Sequence, residues 1–419
     1  MAGLAAAIDL KAAGFTVVVI EGRDRVGGRV FTDTSLGLPL DMGANWIHGI
    51  RGNPIDALRT KYKLKVAATN YNSILRYDSD GLPLSNPREA RLERGFASLQ
   101  TAIGNAQNAE AVDRPLGDFV ADYVAGKTLS AEEQKDLAYS VNTEIEHDYA
   151  ADAGDLSLWE FDQDGQFSGP DVLFPNGYSQ LVQRLQAGLD IRIGQKVSSI
   201  VRDSNGVRIE TTGRTFIGDF AVVTLPLGVL KHGDVVFTPV LPDTKRAAIA
   251  RLNMGVLNKC YLKFPRVFWD ANTHLLGYVS AARGQWCEWY NIYRYTRQPV
   301  LLGFNAGTFG EQLESLSDDA IVASAMTVLR TIYGASIPNP TGARITRWKS
   351  DPFTRGSYSH VPPDASGDDY DALAKSVEGR LFFAGESTSR KYPGTVHGAW
   401  LSGRKAAAEI AALFRQNVA

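Results

Sequence analysis

An α/β fold is expected, in which a Rossmann-like dinucleotide-binding domain is interleaved with a second, α+β domain. Three observations lead there. Thr16-Val17-Val18-Val19-Ile20 is a β-branched run that ends in Glu21 and continues into Arg23, Arg25, Gly27, Gly28 and Arg29. Phe220 to Leu225 and Leu381 to Ala384 are further short apolar runs, closed by Pro226 and Gly385. Between these runs lie long helical and mixed stretches, and 419 residues are too many for one compact core.

The first run reads as a strand buried on both faces. A carboxylate at its end, Glu21, is well placed for the two hydroxyls of a ribose. Glycines at 27 and 28 let backbone come close to a ligand, and the arginines can fork onto a pyrophosphate. Ribose then pyrophosphate means a dinucleotide. Upstream, Gly3 fits the third glycine of a G-x-G-x-x-G turn, and Ala5 to Ala13 fits the helix after it, with Gly14 as its stop. Glu21 follows Gly3 by eighteen residues, near the spacing of about 20 that such a site shows. The first strand and the first two glycines of the motif are not in this sequence, so the chain is expected to begin inside it.

Farther along, Pro39 to Gly49 holds Gly43, Ala44, Asn45 and Trp46, small residues beside a large ring that allow backbone to pass a flat ligand. Pro54 starts a helix to Lys61. A strand at Ile74 to Tyr77 enters a hairpin-like turn, Asp78-Ser79-Asp80-Gly81. Helices are expected at 88–108, 116–125 and 131–144, forming a polar insertion over the substrate. A helix then runs to about Ala187. Ile191 to Ile193, Lys196 to Val201 and Val207 to Glu210 read as a meander, and Phe220 to Pro226 as a buried strand whose end faces a crevice. After a helix at 241–252, Asn258 to Phe264, 286–293 and 300–304 return to strand, and 318–333 to helix. Gly379 to Glu386 is strand, tight glycine, acid. The final helix, about 399–414, follows Tyr392 to Gly398, and a helix N-terminus preceded by glycines favours anions or electron-rich ring atoms.

Composition narrows the function. Net charge is −2 with no basic run, which argues against a nucleic-acid partner. Two cysteines and six scattered histidines offer neither a disulfide framework nor a metal site. No apolar run is long enough to span a membrane. The 44% hydrophobic and 21% charged residues are those of a soluble protein. No address is readable, so the compartment is left open, with the cytoplasm as the default.

Taken in order, Glu21, Gly27-Gly28-Arg29, Gly43-Ala44-Asn45-Trp46, Leu225-Pro226-Leu227-Gly228-Val229-Leu230-Lys231, Asn258-Lys259 and Phe383-Ala384-Gly385-Glu386 resemble the FAD-dependent amine oxidases. That family includes polyamine oxidases, monoamine oxidases and histone lysine demethylases, and the likeness covers nearly the whole chain. It implies an FAD-binding domain from 1–60, 173–252 and 371–419, and a substrate domain from 61–172 and 253–370.

The resemblance also implies roles. Gly3 belongs to the glycine-rich turn. Glu21 holds the adenosine ribose, and Arg29 and Arg23 contact the pyrophosphate or ring region. Gly28, Gly43, Ala44, Asn45 and Trp46 border the cofactor. Val197 holds adenine by its backbone. Gly385 and Glu386 meet the ribityl or phosphate region, and Thr395 and Val396 the isoalloxazine. Lys259 holds a water against flavin N5. His48 faces the substrate amine, Tyr358 forms an aromatic wall of the substrate site above the flavin, and Asp162 and Asp164 attract the amine. With no cysteine between Gly394 and Ala399, FAD is expected to be noncovalent. The implied reaction passes hydride from an amine, such as spermine or spermidine, to FAD. The imine hydrolyses to aldehyde and amine, and oxygen regenerates FAD with release of hydrogen peroxide. The partners are thus a small-molecule amine and oxygen. Two alternatives stand beside it: an L-amino-acid oxidase, which needs an arginine such as Arg283 or Arg355 for the carboxylate, and an inactive flavoprotein fragment.

Overall fold

The computed structural model describes residues 1–418. Helix Ala2–Ala12 opens the chain, and Gly14 leaves it with φ +90°, a conformation that costs glycine little. Ala2, Ala5, Ala6 and Ala7 are buried because the last helix, Val396–Val418, packs along them. Small side chains allow a very close approach. A Cβ on Gly403 would lie 2.1 Å from the carbonyl oxygen of Ala2.

Val18–Ile20 pairs in parallel with Asp190–Arg192. The expected burial on both faces is not found: Val18 is exposed and its two neighbours are half-buried. The strand has a single hydrogen-bonded strand neighbour among the described residues, and Val19 and Ile20 border an open cavity. Ala221–Val223 pairs in parallel with Leu381–Phe383. Both of these strands end at the same cavity, through Thr224 to Pro226 and through Gly385 and Glu386. Ligands of open α/β sheets lie beyond the carboxyl ends of the strands. Val197–Asp203, Gly206–Thr211 and Thr215–Gly218 form the antiparallel meander, and Val236–Thr238 joins it in parallel.

The other half is built on a six-stranded sheet. Its order is Gly342–Ile345, Leu257–Lys263, Val300–Ala306, Glu288–Asn291, Leu275–Val279 and Ile74–Asp78. The hairpin-like turn expected after Tyr77 forms: the Gly81 N–H donates to the Asp78 carbonyl and the Asp78 N–H to the Leu82 carbonyl, both at 2.8 Å, beside a bridge between Tyr77 and Pro83. Ile74–Asp78 also pairs in parallel with Leu275–Val279, which ties this segment into the large sheet. Trp286, Trp289, Leu276 and Leu301 pack with helix Asp318–Tyr333 into one core cluster.

The insertion contains Asn86–Ala109, Leu116–Ala125 and Ala131–Val141. The third helix does not run evenly to Glu144. It widens to a π-turn over Asn142–Glu146, resumes at His147–Tyr149 and stops at Ala150, φ +54°. Glu146 pins this turn, accepting from Asn142 Nδ2 and from the Ala153 N–H, both at 2.9 Å. A π-turn inserts a residue and re-aims those after it.

Candidate active site

One cavity of about 780 Å³ lies between the two halves. That is within the range of cofactor and substrate pockets, about 300–1,000 Å³. Gly3, Glu21, Arg23, Gly28, Arg29, Gly43, Ala44, Asn45, Trp46, Val197, Gly385, Glu386, Thr395 and Val396 all border it, as do Lys259, His48, Asp164 and Tyr358. Asp162 does not. It lies outside, accepting from the Gln107 amide at 2.7 Å. The arginines considered for a substrate carboxylate are outside as well: Arg283 pairs with Glu146 and Arg355 with Asp234.

At one end, backbone forms the walls. Gly28 (φ +60°) and Gly385 (φ +146°) have open space where a Cβ would stand. Gly43 is pressed so closely on the Arg29 carbonyl that a Cβ would lie 1.7 Å from it. Glu21 accepts its own loop's Arg23 N–H with one oxygen, at 2.8 Å. The charges here are already matched. Arg29 donates to Glu386 at 2.8 Å and to the Ser357 carbonyl at 2.7 Å. The other oxygen of Glu386 accepts from Ser359 Oγ at 2.6 Å and from the Gly394 N–H at 2.9 Å. Arg23, expected to reach a pyrophosphate or the ring region, donates from Nη2 to both oxygens of Asp351, at 2.7 and 2.8 Å, and lies over Phe353. Thr395 Oγ1 accepts the Gly398 N–H at 2.9 Å, holding the first turn of the last helix at the cavity.

Lys259 is buried, not a strand lysine facing solvent. Its three protons meet three acceptors: the carbonyls of Asp41 (2.8 Å) and Gly43, and Asn45 Oδ1. Burial draws its ammonium down from the usual lysine range, against the opposing charge of Asp41. Burial pushes Asp41 up, although Thr32 Oγ1 and the Tyr178 N–H donate to it. To hold a water, Lys259 has to release one of its three acceptors.

The other end is acidic. Glu144, Asp148, Asp164, Asp171 and Glu288 line it, with His48 and His147 among them. The π-turn aims Glu144 and Asp148 inward. Asp148 accepts no hydrogen bond from any group among the described residues; its accessible surface faces the cavity, and desolvation there pushes its carboxyl up to about 7, against the charge of His48 and with Glu288 and Glu144 adding to the rise. Burial likewise raises Glu144 and Asp164. His147 Nδ1 lies 2.9 Å from Glu288, and its Nε2 has no partner. Trp46, Tyr290 and Phe304 form an apolar wall, with Trp46 and Tyr290 centred 4.9 Å apart. Tyr358 donates to the His147 carbonyl at 2.6 Å and lies against Gly394. More than half of the His48 side chain is accessible, and His48 lines the cavity.

Sequence reasoning missed Asp148, Glu144, Asp171 and Glu288. Glu144 and Asp148 stand four residues apart, but the π-turn over Asn142–Glu146 breaks the α-helical period by which such a pair would be read as one face. The other two arrive from separate loops and strands, and no local pattern marks them.

Comparison with known proteins decides the family. The model of flavin-containing amine oxidoreductases matches residues 1–411. The chain belongs to that family. FAD is therefore its cofactor, and the residues present fit it: the cavity has two glycine-walled openings, two helix N-termini and an uncommitted Glu21 oxygen. "Lysine-specific histone demethylase 1 homolog 1" of Oryza sativa subsp. japonica is 37% identical over 98% of this chain. The chain spans about half (51%) of that relative's length. "Polyamine oxidase 4" of the same subspecies is 36% identical, with 98% of this chain and 86% of that protein covered. "Polyamine oxidase 2" of Arabidopsis thaliana is 36% identical, with 97% and 85% covered. A double mutant of putrescine oxidase, redesigned in cofactor binding, shares the fold. Its TM-score is 0.77 at 20% identity, over 98% of this chain and 96% of that one. No described helix is long and apolar enough to cross a membrane, and no cluster of metal-binding side chains occurs among the described residues.

Proposed function

We propose that this flavin amine oxidoreductase oxidises a small polyamine such as spermidine or spermine. The observation that carries the reading is the acidic end of the cavity, above all the unpartnered carboxylate of Asp148. A substrate with several ammonium groups answers carboxylates whose burial otherwise drives them towards the neutral form. The names of the two polyamine oxidases support the same reading.

Glu21, Gly28, Arg29, Gly385, Glu386, Thr395 and Val396, with the backbone of Val197, would hold FAD, noncovalently. Bound FAD supplies the acceptor for a hydride from the carbon beside the amine nitrogen, and oxygen regenerates it with release of hydrogen peroxide. This chain's residues would do the rest. Asp148, Glu144 and Glu288 draw the cation in. Trp46, Tyr290, Phe304 and Tyr358 keep water away and align the methylene chain. The reacting nitrogen has to be neutral, and an apolar wall lowers its proton affinity. Lys259, at the junction of the two ends, is placed to hold a water or a proton there.

The test is anaerobic addition of spermidine to the purified protein, followed by absorbance. Bleaching of the flavin bands is expected. Bands that persist with spermidine and spermine, yet bleach with a methylated-lysine peptide or an amino acid, overturn the polyamine reading.

A further inference from the structure

Asp171 precedes strand Val172–Leu173 and meets His48 at the cavity wall. Its carboxylate is held by three donors. Oδ2 accepts from His48 Nδ1 at 2.8 Å and from the Tyr71 hydroxyl at 3.0 Å, and Oδ1 accepts from the Gly49 N–H at 2.8 Å. Gly49 has φ +60°, and its Cα faces the Phe167 carbonyl so closely that a Cβ would lie 1.9 Å from that oxygen. The backbone that carries His48 is therefore fixed as firmly as the acid. An ionised carboxylate only accepts, so Nδ1 must carry the proton. Nε2 has no partner among the described residues and is left to the cavity.

We infer that Asp171 is a positioning residue: it fixes His48 with Nδ1 protonated and Nε2 turned to the substrate, so that His48 takes the proton an ammonium must lose before oxidation. This inference rests on the polyamine reading. In the step, an N–H bond of the ammonium breaks and an Nε2–H bond forms. The electron pair stays on the amine nitrogen, which can then expel hydride from its neighbouring carbon. The new imidazolium is stabilised by Asp171, the arrangement that makes histidine a better base in hydrolytic triads.

The surroundings agree. Burial works to lower His48, but the hydrogen bond and charge of Asp171, then the charge of Asp148, bring it above the usual histidine range. Burial works to raise Asp171, but His48, Gly49 and Tyr71 bring it below the usual carboxylate range. Across the cavity, His397 is held down to about 4 by burial, so it stays neutral and does not oppose a charged His48. Trp46, 6.3 Å away by ring centres, brings no charge.

The experiment compares the FAD-loaded parent with Asp171→Asn and Asp171→Glu. In protein labelled with ¹⁵N-histidine, with His48→Gln to assign the signal, the His48 midpoint should fall by about one pH unit or more in Asp171→Asn. The rate of flavin reduction by spermidine should fall about tenfold or more, with its acid limb moved to lower pH, because an amide can force the wrong tautomer. Asp171→Glu should recover part of both. An unchanged midpoint and an unmoved acid limb in Asp171→Asn would overturn the assignment. If that variant does not fold, the parent decides: neutral His48 protonated on Nε2 rejects the proposal, and protonation on Nδ1 upholds it. A parent flavin that spermidine fails to bleach would remove the polyamine reading, while the midpoint and tautomer would still judge Asp171.

Discussion

The two ends of the cavity treat charge in opposite ways. At the glycine-walled end, Arg29 is matched by Glu386 and Arg23 by Asp351. At the acidic end, Asp148 has no donor, and Glu144 and Asp164 are pushed towards neutrality by burial. Matched charges hold a shape, and a resident group can then be bound by backbone and form. Unmatched charges await a visitor that brings the opposite sign. A resident cofactor and a transient cation thus ask for different electrostatics within one cavity.

Breaking the matched end should have the largest effect. Arg29→Ala leaves the buried Glu386 without its cation, a loss of about 3 kcal/mol by analogy with other buried pairs. Thermal unfolding should show the loss, and FAD should leave the protein on gel filtration. Next comes the junction. Lys259→Met should slow flavin reduction by spermidine about 100-fold in stopped-flow measurements, the scale of a lost proton-handling group. It should also change the pH dependence of stability. Burial lowers Lys259 from 10.5 to about 7, so the unfolded chain binds more protons between those values. The lysine therefore makes stability rise with pH across that window, and denaturant midpoints of the variant should lack the rise.

At the acidic end, Asp148→Asn should weaken spermidine binding about 10- to 100-fold, as expected for a charged hydrogen bond, with little effect on FAD content. Its stability should move the other way. With the carboxyl raised from 3.8 to about 7, the folded state binds more protons in that interval, and Asp148 costs stability as pH rises through it. The asparagine variant should be more stable than the parent at pH 8, with the gap closing by pH 4. Asp162→Asn should do least, less than twofold in the apparent KM for spermidine, because Asp162 faces Gln107 and not the cavity.

The glycine-walled end was largely legible in the sequence. Glu21, Gly28, Arg29 and Gly385 are backbone-driven features, and their residue types advertise themselves at fixed local spacings. The acidic end was not. Asp162 and Asp164 stand out as an acidic pair, yet only Asp164 reaches the cavity, because adjacent side chains of one loop point to different places. Glu144 and Asp148 turn inward through a π-turn that helical periodicity does not foresee. Lys259 and Asp41 meet across 218 residues of chain. Val18 was expected inside for its β-branched character, but burial is decided by neighbours, and its strand has one.

The close seating of Gly403 on Ala2 bears on how the molecule is made. Helix Ala2–Ala12 finds its main partner only when Val396–Val418, far along the chain, has been synthesised. At about 5–20 residues per second, that wait is roughly 20–80 s. Strand Ile74–Asp78 faces a shorter wait of the same kind for Leu275–Val279. During synthesis an alanine-rich helix and a bare strand edge are therefore open to other chains. Yield in cells should then depend on translation speed and on chaperones that shield these early segments.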